Sequence, residues 1–116
     1  MNIKETIKAA KDIHDKHVEM PEWGVTIEVR TMTARERANL FTSCMDKKGN
    51  VIHDKFQAGV IIACCFDPES GEKLFAPADE SLIMEKSAGA VERLANAAME
   101  ISGLSPDAMK EAEKNV

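Results

Sequence analysis

Apolar positions along the chain change period several times, and each change marks an element. Ile3, Ile7, Ala10 and His14 recur at spacings of four, three and four, which is one face of a helix. Asn2 followed by Glu5 has the form of a capping box, so the pattern predicts a helix over residues 2–16. Its apolar stripe is thin, and such a helix is marginal without a partner. From His17 the period falls to two. Val18 and Met20 flank Glu19, and Val25, Ile27 and Val29 alternate with Thr26, Glu28 and Arg30, the pattern of half-buried strands. Pro21-Glu22-Trp23-Gly24 supplies turn chemistry between them, which predicts a β-hairpin.

Helical periods then return. Thr33 with Glu36 is a well-formed capping box. The helix it opens carries Ala34, Ala38, Phe41 and Met45 on one face, with Leu40 and Cys44 beside them, and should stop near Lys48-Gly49-Asn50. Asp54 with Gln57 begins a second, and residues 56–66 are apolar almost all round, as in a buried central helix. The trio Val60-Ile61-Ile62 leaves a strand open there, although the length favours a helix. After a turn at Asp67-Pro68-Glu69-Ser70-Gly71 come an extended piece at residues 73–75 and a short helix at 78–86. Ser87 starts the clearest amphipathic helix, with Val91, Leu94, Ala95, Ala98 and Ile101 on one stripe and Gly103 ending it. Ser105-Pro106 restarts a short helix. These elements read as an α+β fold, a predominantly helical single domain with one β-hairpin in its N-terminal half. Residues 1–116 form that domain, with 1–16 and 105–116 as peripheral helices. Val60, Ile61, Cys64, Val91, Leu94 and Ala98 are expected to be buried together.

Composition narrows the function. The net charge is −5, which disfavours binding nucleic acid through phosphate neutralisation. Residues 51–104 hold nine acids against four bases, so the acidic excess lies in the second half, as a solvated face or an acidic docking surface. No apolar run nears the roughly 20 residues that cross a bilayer, and no export signal is visible. Three cysteines, two of them adjacent, make no disulfide framework and suit a reducing cytoplasm.

Candidate chemistry is sparse. His14 and His17 are three apart and would share a helix face, yet a zinc site needs three or four ligands, and no second His/Cys cluster has ligand spacing. No metal and no cofactor are therefore expected. Cys64 and Cys65 read as small buried hydrophobes, and no base at recognisable spacing completes a nucleophile with Cys44. No glycine-rich phosphate loop is present, so an enzyme is not expected. Interaction fits better. Seven methionines either fill core gaps or offer adaptable binding surface. Trp23 at the hairpin tip either anchors a partner or folds back over the core. Ile3, Ile7, Met20, Trp23, Met45 and Met109 are the candidate partner-binding residues.

The order of motifs adds a resemblance. Pro21-Glu22-Trp23-Gly24 precedes the strand ending in Arg30, then Thr33-Ala34-Arg35-Glu36-Arg37. Cys65-Phe66-Asp67, Gly71, Leu74-Phe75, the Ser87-led helix and Ser102-Gly103-Leu104-Ser105 follow. Over residues 17–114 this set resembles the tail assembly chaperones of long-tailed bacteriophages. The resemblance implies a non-enzymatic protein that binds the tape measure protein, keeps it soluble and helps bring tail tube subunits onto it. It further implies action in the host cytoplasm and absence from the mature virion, with self-association as an added expectation. A tape measure chain exposes long apolar helical stripes that aggregate unless covered, and adaptable Met and Leu surface suits that task. The alternative is a small acidic protein–protein interaction adaptor unrelated to tail assembly.

Overall fold

Backbone pairing starts earlier in the chain than the helical period suggests. The computed structural model describes residues 2–104; Met109 and the helix expected after Ser105 lie outside them. Helix α1 covers Ile3–Ala9 and ends at Ala10, whose backbone is extended. Strand β1, Asp15–Met20, then pairs antiparallel with β2, Val25–Arg30. The expected helix to residue 16 is thus a correction. The hairpin takes residues 14–17, with the Thr31 amide donating to the His14 carbonyl at 3.0 Å and Asp15 opposite Arg30. A long-range strand partner outweighs a thin helical stripe. The turn forms where expected, the Trp23 amide donating to the Met20 carbonyl and Gly24 taking φ +67°.

Helix α2, Ala34–Cys44, is opened by the full capping box, with Thr33 and Glu36 exchanging hydrogen bonds of 3.1 and 2.8 Å. It buries Leu40 and Cys44, whereas Ala38 is exposed, so its inward stripe lies beside the expected one. It stops at Cys44 because the chain turns there. Met45 bridges Val51, and the Asp46 carboxylate accepts from the amides of Lys48 and Asn50. Helix α3, His53–Cys64, buries Phe56, Ala58, Val60, Ile61 and Cys64, so Val60-Ile61-Ile62 is helical. Gly59 lets α2 and α3 approach, since a Cβ there would lie 2.5 Å from Leu40 Cδ1.

Residues 65–66 leave the helix as a third strand, β3, Cys65–Phe66, which adds to β2 and gives the sheet order β1-β2-β3. A 3₁₀ turn at Pro77–Asp79 leads into α4, Glu80–Met84, and α5 follows as Ala88–Ile101. Gly103 at φ +76° closes α5, with the Leu104 amide reaching back to the Met99 carbonyl at 2.8 Å. Ser102 ties that end to the hairpin: its hydroxyl accepts from the Met32 amide at 3.0 Å, and Thr31 Oγ1 donates to the Ile101 carbonyl at 3.2 Å.

The architecture is α+β. Helices α3 and α5 pack on one another, and α5 covers one face of the hairpin. Met20, Ile27 and Val29 on that face join Val60, Ile61, Cys64, Val91, Leu94 and Ala98 in one buried cluster, as the apolar stripes predicted. The opposite face of the sheet carries Asp15, His17, Glu19, Thr26, Glu28 and Arg30, following the pleat and register.

Candidate interaction surfaces

Helix α1 buries none of its residues. Ile3 and Ile7 are 80% and 68% exposed, and Ile13 beyond the helix is 48% exposed. The helix exists because the Asn2 side chain accepts from the Glu5 amide at 2.9 Å and Lys8 sits in its last turn. Seven residues carry too little helical stability of their own to persist unaided. Its two isoleucines leave an apolar flank at water.

The other candidate residues fall elsewhere. Met20 is fully buried at the end of β1, with the Arg93 guanidinium 3.5 Å from its sulfur. Its place among the surface candidates is therefore corrected: alternation put it on the inward side of the hairpin. Trp23 is half-buried and packs against the core, the second of the two readings the sequence left open. Met45 is likewise half-buried at the C-terminal end of α2. Ile3 and Ile7 are close in sequence and space; Trp23 and Met45 belong to different elements.

Beside Trp23, Arg93 of α5 clamps Glu22 with two hydrogen bonds of 2.7 and 2.6 Å. The guanidinium hydrogen bonds hold the Glu22 carboxyl down to about 2, because a bidentate cation favours the charged form. This pair fixes the hairpin tip to α5, and sequence reasoning had no signal for it, since the partners lie 71 residues apart.

A cleft of about 560 Å³ opens between α2, α3 and the 3₁₀ turn. Leu40, Gly59, Ile62 and Ala63 line its apolar part, and Lys73 with Glu36, 3.6 Å apart, stand at the rim. The cysteines take no part in any surface. Cys44, Cys64 and Cys65 are fully buried free thiols, and burial pushes Cys64 up to about 11 and Cys65 higher still. They behave as the small hydrophobes expected.

On the open face of the sheet, Arg30 lies over the Phe66 ring, 3.9 Å from its centroid, and its Nε donates to Glu28 Oε2. That hydrogen bond holds the Glu28 carboxyl below the usual carboxylate range. His17, on a strand rather than a helix, stands opposite Glu28 with Nε2 3.5 Å from Oε1. Among the described residues no helix is long and apolar enough to cross a membrane.

No protein-family model matches the sequence, and no curated protein matches it. Three-dimensional comparison is more informative, because a fold outlasts sequence similarity. With a TM-score of 0.57 at 18% identity, over 84% of this chain and 91% of the other, the chain shares the fold of the tail assembly chaperone of bacteriophage HK97.

Proposed function

We propose that this chain is a non-enzymatic tail assembly chaperone of a long-tailed phage or prophage. The observation that carries the reading is the fold shared with the HK97 protein over most of both chains. In this reading the chain acts as one chaperone unit, with α1 at its periphery. The unit binds the tape measure protein in the host cytoplasm, helps bring tail tube subunits onto it, and leaves before the virion is complete. The exposed isoleucines of α1 support the binding role. A weakly held helix that orders on contact spends conformational entropy, which keeps affinity moderate and release feasible.

Co-expression with the tape measure protein encoded beside it tests the reading. Expected are a soluble complex in pulldown and loss of tape measure solubility when the chaperone is omitted. Mass spectrometry of purified virions should find no copies of this chain. A tape measure protein that stays soluble alone and never co-purifies overturns the proposal.

A further inference from the structure

The geometry points to a divalent-metal site on the open face of the sheet, held by Asp15, His17 and Glu28 and suited to zinc or a neighbouring transition ion. Asp15 and His17 are two apart on β1 and so share a face, and Glu28 on β2 is the register partner of His17. The donor atoms of all three lie within 4.8 Å of one another. Two donors on a tetrahedral zinc, each bonded at about 2.0–2.1 Å, stand roughly 3.3 Å apart. His17 Nε2 and Glu28 Oε1, at 3.5 Å, already have that separation. Asp15 is exposed at the strand's start, and its carboxylate, within 4.8 Å of the other two donors, is the third ligand.

The surroundings support the donors. Arg30 holds Glu28 Oε2 and is itself stacked on Phe66. The carboxylate is thereby oriented with Oε1 toward His17, as outer partners orient metal-ligating carboxylates. Two carboxylates and a neutral imidazole carry a charge of −2, offset by one from Arg30, so a dication enters an anionic site. One imidazole with two carboxylates favours zinc and its neighbours over calcium or magnesium, which prefer oxygen throughout. His17 is 57% exposed and Glu28 13% by side chain, so water completes the coordination. The bound ion ties the edge strand β1 to β2.

Isothermal titration of zinc chloride into the full chain, stripped with chelator beforehand, tests this directly. Expected is saturable binding of one zinc per chain, with the backbone amide resonances of Asp15, His17 and Glu28 shifting in NMR spectra. His17→Ala abolishes it, while His14→Ala and His53→Ala leave it unchanged. Arg30→Met weakens it about tenfold, as loss of an outer partner does. Should His17→Ala fail to fold, Asp15→Asn, at an exposed position, serves in its place and weakens binding at least as strongly. No saturable binding at millimolar zinc, or binding that survives His17→Ala and Asp15→Asn, overturns the proposal.

Discussion

Helices α1 and α3 are both supplied with isoleucine, and their fates are opposite. Ile61 of α3 is fully buried, while Ile3 and Ile7 of α1 are 80% and 68% exposed. Helix α3 packs against α2, α4 and α5, so most of its apolar surface is covered, Phe56, Ala58, Val60, Ile61 and Cys64 being buried. Helix α1 has an apolar flank that no element among the described residues buries. Residue type sets what an element gains by burial; the presence of a facing partner decides whether the gain is realised within the chain. The central elements thus carry the core, and the isoleucines of the N-terminal helix stay at water.

The sharpest way to break that contrast is to cut the centre. Leu94 is fully buried between α5 and its neighbours, and Leu94→Ala should cost about 2–5 kcal/mol, read from the urea midpoint at constant m-value. An unchanged midpoint would mean that the core does not close around α5. Loss of the α2 cap comes next. Thr33→Ala removes the acceptor for the Glu36 amide and should cost about 1 kcal/mol in the same measurement, with Thr33→Ser close to wild type.

A smaller effect, dependent on pH, concerns the hairpin tip. Glu22 titrates at about 2 in the folded protein because Arg93 hydrogen-bonds its charged form. The unfolded chain, with an ordinary carboxylate, binds the proton first as pH falls. The pair's stabilisation is therefore present above the ordinary carboxylate pKa of about 4.3 and is lost as pH drops toward 2. The gap in midpoint between wild type and Glu22→Gln should narrow over that range. A gap that stays constant with pH would show that Glu22 acts through packing instead. The smallest stability effect is expected from removing residues 1–10, since residues 2–10 contribute no buried side chain. The midpoint should move by less than about 0.5 kcal/mol, while tape measure capture and self-association weaken. Full capture by the truncated protein would dismiss α1 as a docking element. Stopping the cut at residue 10 matters, because β1 begins at Asp15.

Several features were legible residue by residue because their physics is local. The Thr33–Glu36 box, the Pro21–Gly24 turn and the α5 stripe of Val91, Leu94, Ala95 and Ala98 each involve neighbours within one or two turns of chain. Periodicity reports such relations directly. It placed the hairpin and put α3 and α5 at the centre. The surface residues were less legible. Met20 was a candidate for partners although its own strand alternation turned it inward.

What the tertiary structure alone decided are the long-range choices. Whether residues 14–17 extend α1 or pair with β2 depends on a partner strand in a separate part of the chain. Cys65–Phe66 becomes a strand because β2 has a free edge to receive it, and two residues are too few to show a period. The clamp between Glu22 and Arg93, and the meeting of Asp15 and His17 with Glu28, join residues from different elements. Local pattern determined which segments form helices and strands and which of their faces seek burial. Only the folded chain determined which faces found a partner, because pairing and packing energies belong to pairs of elements and are written in no single stretch of sequence.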